Sequence, residues 1–100
     1  MIRSQLRLRA KPGERDAILR DLDRLEVFVA VRGQDGFLGL TVLVPDGDVD
    51  GVLVEGSWSS REHFRRWWES PAGEDLLRDL APLLAKDADL ILYQVVDTIS

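Results

Sequence analysis

The sequence predicts an α+β domain, ordered strand, helix, strand, strand, helix pair, strand. Three observations carry that reading. Residues 2–10 alternate, with Ile2, Leu6, Leu8 and Ala10 on one side and Arg3, Gln5, Arg7 and Arg9 on the other, the period of two expected of a strand. Two apolar runs, Phe37–Val44 and Val52–Trp58, flank the turn-rich PDGDVDG, the pattern of an antiparallel hairpin. Two serine-started segments with helical spacing then lead to a last apolar run, Leu90–Val96.

Each element has its own signals. Lys11-Pro12-Gly13 ends the first strand, and Glu14 and Asp16 suit the positive end of a helix dipole. Ile18, Leu19, Leu22, Leu25 and Val29 repeat at helical spacing. The end of that helix is ambiguous on local grounds. Val27 to Val31 alone reads as a strand, which would make a hairpin through Gly33-Gln34-Asp35-Gly36. Phe37–Val44 is apolar and bounded by turns, so a buried strand is expected, with Val52–Trp58 as its hairpin partner.

Ser59 and Glu62 stand three apart, which predicts a capping box at the next helix start. Ser70-Pro71 gives another N-cap with proline at the first helical position. Leu76, Leu77, Leu80, Leu83 and Leu84 line one helical face, and Pro82 should kink or end that helix. The element order is the ferredoxin-like βαββαβ motif in an antiparallel sheet.

Composition bounds the rest. One hundred residues make one domain, 1–100, with a modest core. No apolar run approaches the ~20 residues of a membrane span, and residues 1–15 lack the apolar block of a signal peptide, so a cytoplasmic protein is expected. The absence of cysteine excludes disulfides, thiolate metal sites and cysteine nucleophiles. A net charge of −5 argues against general binding to nucleic acid.

Several clusters have both a chemical and a bland reading. Asp46, Asp48, Asp50 and Gly51 match the opening of a calcium loop, but Ser57 stands where the bidentate glutamate belongs and the flanks are strands. A solvated turn is expected there, and no metal site. His63 is the one histidine, a candidate proton shuttle, set among Arg61, Glu62, Arg65 and Arg66 as a surface histidine would be. Phe64, Trp67 and Trp68 form a stripe at i, i+3 and i+4. It suits a helix packed on a sheet, and it also suits an aromatic pocket. The two adjacent tryptophans lie about 100° apart around the helix, so one can line a pocket while the other packs. Arg3, Arg7 and Arg9 share one strand face. If a second subunit covers that face, they must pair with acids such as Glu55.

Three stretches carry a resemblance. Gly36-Phe37-Leu38-Gly39, the block VEGSWSSREHFRRWWESP from Val54 to Pro71, and the closing LILYQVVD from Leu90 to Asp97 resemble the antibiotic biosynthesis monooxygenase domain. Its superfamily includes bacterial haem-degrading monooxygenases. The resemblance implies a ferredoxin-like fold whose sheets pair into a dimeric α+β barrel, with a pocket between helices and sheet in each subunit. It also implies that the first helix runs from 14 to about 31.

Carried over residue by residue, Trp67 matches the tryptophan that presses on porphyrin in haem-degrading members. Leu76 falls where those members place the axial histidine, and Leu6 falls at a strand-one asparagine. Leucine cannot ligate iron, so haem is disfavoured. In cofactor-free members, which oxidise polyketide anthrones, Trp58 matches a pocket tryptophan, while Val54 and Phe64 replace an asparagine and a tyrosine.

The resulting expectation is a homodimer that binds a flat aromatic metabolite and oxygenates it without metal or flavin. Trp58, Phe64, Trp67, Trp68, Leu76 and Leu6 are the expected ligand-binding residues, and His63 is the catalytic candidate. The alternatives are a non-catalytic ligand-binding or regulatory member, and a haem-binding member that uses an unusual ligand such as His63. Neither nucleic acid nor membrane is an expected partner.

Overall fold

The computed structural model describes residues 1–24 and 31–100. In chain order it contains β1 (Ile2–Arg9), α1 (Arg15–Arg24), β2 (Phe37–Leu43), β3 (Gly51–Trp58), α2 (Arg61–Trp68), α3 (Pro71–Leu80), a 3-10 turn (Ala81–Leu83) and β4 (Asp89–Gln94). The sheet order is β2-β3-β1-β4, and every pairing is antiparallel. This is the ferredoxin-like α+β arrangement expected from the element order.

The alternation in β1 sets the layers. Ile2, Ser4, Leu6 and Leu8 are buried, while the residues between them face outward. Register carries that face across the sheet: Leu6 lies opposite Val54 of β3 and Leu90 of β4. The helices cover it with Ile18 and Leu22 from α1, Phe64 and Trp67 from α2, and Leu76 and Leu80 from α3, all in one buried cluster. Burial of such side chains is worth roughly 1.5–3 kcal/mol each before entropy is charged against it. Among the described residues, no helix is long and apolar enough to cross a membrane.

Pro82 acts as expected. α3 stops at Leu80 and tightens into the 3-10 turn that contains the proline, so Leu83 and Leu84 leave the helix yet still pack on the core. The acidic hairpin turn is tied down by arginines. Arg9 pairs with the Asp48 carboxylate, Arg15 Nη1 donates to the Asp48 carbonyl at 2.8 Å, and Asp50 N–H donates to Asp48 Oδ1 at 3.0 Å.

Three expectations need correction. Phe37–Val44 is not a buried strand: β2 is a sheet edge, with Leu38, Leu43 and Val44 exposed while Leu40 and Val42 pack inward. An edge strand has a neighbour on one side only, and nothing in its own residues says so. The cap of α2 is Ser60, whose Oγ accepts from His63 N–H, and not Ser59; Glu62 pairs instead with Arg65. The last strand is Asp89–Gln94, and Val96 is exposed beyond it. For the first helix, α1 matches the expected start; residues 25–30, including Leu25 and Val29, lie outside the described residues.

Candidate functional site

The candidate site is the junction of β3, α2 and α3. Trp58 ends β3 at an inward position, opposite Ile2 of β1 and Phe37 of β2. The Ser59 N–H donates to the Gly36 carbonyl at 2.8 Å, so Ser59 still belongs to the sheet end and the helix starts one residue later. Within α2, Phe64 and Trp67 are three apart and turn inward, while Trp68 lies at the half-buried rim.

The corner between α2 and α3 is tight. Ser70 Oγ donates to the Trp67 carbonyl at 2.5 Å and accepts from Gly73 N–H at 3.4 Å, ending one helix and capping the next. A Cβ at Gly73 would stand 2.6 Å from the carbonyl oxygens of both Trp67 and Trp68. Only glycine lets α3 approach that closely, and the approach holds Leu76 against the cluster.

The rings form one continuous group. Trp58 makes edge contacts with Phe37 at 5.3 Å and Phe64 at 5.5 Å, and lies 5.8 Å from Trp67. Phe64 and Trp68 stack at 5.7 Å with planes 23° apart. Aromatic pairs of this kind add about 0.5–1.5 kcal/mol beyond area burial. Trp58 is 1% exposed, Leu76 3% and Trp67 7%; Phe64 and Leu6 are also buried. All six expected ligand-binding residues therefore belong to, or pack against, the hydrophobic core, and Trp68 alone among them is partly open.

Polar groups here are few. Trp58 Nε1–H donates to Ser4 Oγ at 3.3 Å, a buried pair. Trp67 Nε1 is buried with no hydrogen-bond partner among the described residues. His63 is half-buried and packs against Gly36, just ahead of β2. Its Nδ1 is 2.7 Å from Ser60 Oγ, and its Nε2 is 3.5 Å from Asp35 Oδ2. The nearby Glu62 carboxyl sits below its ordinary range, chiefly through the hydrogen bond from Arg65. A hollow of about 420 Å³ beside the cap is lined by Met1, Ile2, Ser59, Ser60, Arg61 and Gln94, and by none of the seven residues chosen from sequence.

Sequence reasoning missed Phe37, Ser4, Ser60 and Asp35 as members of this region. Phe37 could have been found from the hairpin register, which sets it opposite Trp58. Ser4, the one polar residue among inward β1 positions, was a visible signal.

Comparison with known proteins agrees with this fold. The antibiotic biosynthesis monooxygenase (ABM) family model matches residues 1–78. A haem-degrading monooxygenase of Bacillus thuringiensis subsp. konkukian is 38% identical over 56 residues, covering 54% of this chain and 52% of the relative. The chain thus spans about half the length of the curated relatives it matches. Among solved structures, a protein from Mycobacterium tuberculosis superposes with a TM-score of 0.83 at 17% identity, covering 99% of this chain and 98% of that one. SnoaB, a cofactor-independent oxygenase from Streptomyces nogalater, gives 0.81 at 19% identity, covering 98% and 95%. At those identities the superpositions establish the fold alone. With the family model matched over most of its length, the chain belongs to the antibiotic biosynthesis monooxygenase family.

Proposed function

We infer that this chain is a homodimeric oxygenase that binds a flat aromatic metabolite at the α2 side of the sheet and needs no metal or flavin. The observation that carries the reading is the stacked pair Phe64–Trp68, whose outer member is half-buried at the rim of an aromatic group in which Trp58, Phe64 and Trp67 are buried. A flat ligand gains there the offset stacking that the rings already use with one another. A dihydroxyanthrone-like substrate needs little from the protein. Loss of its acidic C–H proton gives a carbanion that reduces oxygen, so that anthrone and O2 yield anthraquinone and water. The protein then contributes orientation and exclusion of solvent. His63, adjacent in sequence to Phe64 and held by Ser60 and Asp35, is the candidate proton shuttle.

Haem does not fit these residues. Leu76 is aliphatic and packed in the core, and the lone histidine has Ser60 on one ring nitrogen and Asp35 on the other. The name of the Bacillus relatives therefore does not carry over through this donor set.

A second reading is favoured by a specific observation: the aromatic group is closed by apolar side chains, with Leu6 and Val54 buried beneath it. On that reading the chain binds its ligand without turning it over. An oxygen electrode separates the two. With a tricyclic anthrone and no added cofactor, oxygen uptake above the buffer rate supports the oxygenase; saturable binding without uptake supports the binder. A Soret band on haem titration, lost in His63→Ala, would overturn the exclusion of haem.

A further inference from the structure

We propose that Trp67 Nε1–H is the specificity-determining donor of this site, selecting flat ligands that present an oxygen acceptor over bare hydrocarbons of the same shape. The inference rests on the flat-ligand reading above. It starts from an imbalance between two indoles. Trp58 and Trp67 lie 5.8 Å apart in one cluster, and both are more than nine-tenths buried. The Trp58 N–H is bonded to Ser4 Oγ, whereas the Trp67 N–H is sealed from solvent with no acceptor among the described residues.

A buried donor without a partner is uncommon in a folded protein and asks for an explanation. Neighbouring rings do not supply one. An N–H lies in its own ring plane, so it meets the face of a neighbour squarely only when the two planes are near perpendicular. Trp67 makes tilted pairs instead, at 33° to Trp58, 51° to Phe64 and 47° to Trp68. A π-face is in any case a weak acceptor. The backbone of Trp67 offers no relief, because its carbonyl already accepts from both Ser70 N–H and Ser70 Oγ.

The donor is also well placed for selection. It sits on the same helix as the Phe64–Trp68 stack, one residue from the partly open Trp68. A keto, quinone or phenolate oxygen that reaches it would satisfy a group the free protein leaves unpaired. A hydrocarbon of equal area would keep it unpaired. Sites built around a buried donor discriminate strongly against ligands that lack the matching group. Because Ser4 occupies the Trp58 N–H, the polar handle of this cluster belongs to Trp67.

The test uses anthrone and anthracene under nitrogen, two flat tricycles of similar shape, of which only the first presents an oxygen. The 15N-labelled chain gives three indole N–H resonances, assigned with single Trp→Phe variants. Anthrone should bind roughly tenfold or more tightly than the hydrocarbon. It should move the Trp67 resonance downfield and slow its hydrogen exchange, leaving the Ser4-bonded Trp58 resonance in place. Trp67→Phe should bring the two affinities together. Equal affinities in the native chain, or an unmoved Trp67 resonance at saturation, would overturn the inference and leave the flat-ligand reading standing. A water cross-peak to the Trp67 N–H that persists in the complex would also overturn it, since water would then be the partner. Failure of both probes to bind would sink the flat-ligand reading, and this inference with it.

Discussion

Trp58 donates its indole proton to Ser4 Oγ at 3.3 Å, joining the end of β3 to an inward position of β1. Both residues are buried, so removal of the hydroxyl leaves the indole with no water to turn to. Ser4→Ala should destabilise the fold by about 1–3 kcal/mol, the range for a buried donor left unpaired. The urea midpoint should fall with an unchanged slope. An unaltered midpoint would mean that the bond contributes nothing net.

A second close relationship joins Gly36 to His63. Gly36 has φ +80°, and a Cβ there would lie 2.2 Å from His63 Cγ. Two penalties therefore meet in Gly36→Ala: a left-handed backbone, about 1–2 kcal/mol for a residue with a Cβ, and a collision with an imidazole held by Ser60. In the His63→Gly background, which also removes the residue-63 Cβ that would stand 2.6 Å away, the collision is gone and the backbone penalty stays. A double-mutant cycle should show coupling of about 0.5–3 kcal/mol. Strict additivity of the two melting shifts would exclude the collision.

These two contacts show what a linear reading can reach. The alternation of Ile2, Leu6 and Leu8 revealed β1 because one buried face is enough to impose a period of two. Ser70-Pro71 revealed α3 because cap and proline act within one turn. Ser59 and Ser60 could not be told apart that way. The choice depends on Ser59 N–H bonding Gly36, a residue fixed by the hairpin and not by its neighbours in sequence. The edge position of β2 and the Ser4–Trp58 bond depend on strand order in the same manner. Phe64 and Trp67 were legible together because they stand three apart on one face of α2, and Trp58 because it ends an apolar run. Their degree of closure was not, since it follows from how near Gly73 lets α3 approach.

Trp67 and Trp68 are adjacent in sequence and unequal in setting. Trp67 is buried against Trp58 and Phe64, whereas Trp68 is partly open and stacks on Phe64. Trp67→Ala should lower stability by about 3–5 kcal/mol through the cavity it leaves. Trp68→Ala should lose less than half as much. Urea denaturation of the two variants decides the order, and a larger loss for Trp68→Ala would mean that the faces of α2 are assigned the wrong way round.

The open face of the sheet offers a test of assembly. Leu38 is 56% exposed and Leu43 42% exposed on the edge strand β2, and Tyr93 is exposed on the opposite edge, β4. Between them Glu55 gathers Gln5 Nε2 at 3.0 Å and Arg3 Nε at 3.7 Å, so part of the charge on that face is already paired. A second copy covering it would meet Arg3 and Glu55 already paired, with Arg7 left to be matched across the interface. Light scattering at micromolar concentration should give twice the 11.3 kDa chain mass. The double variant Leu38→Glu, Leu43→Glu should return the single-chain mass with its circular dichroism intact. A native chain at 11.3 kDa would sink the proposed dimer.

Acid should probe the Arg9–Asp48 pair. The hydrogen bond from Arg9, reinforced by the Asp50 N–H, holds the Asp48 carboxyl at about 2. An unfolded aspartate titrates near ~3.9. Between those values the folded chain binds fewer protons at this site than the unfolded chain, so stability rises with pH across that window. The contribution is fully present above about 4 and is lost as pH falls through about 2. The native chain should therefore exceed Asp48→Asn in urea midpoint by a constant margin from pH 5 to 8 and by a shrinking one from about 4 to 2. Because the pair is solvent-accessible, about 1 M salt should narrow the margin at neutral pH. A margin independent of pH would show that Asp48 acts through its turn geometry and not through its charge.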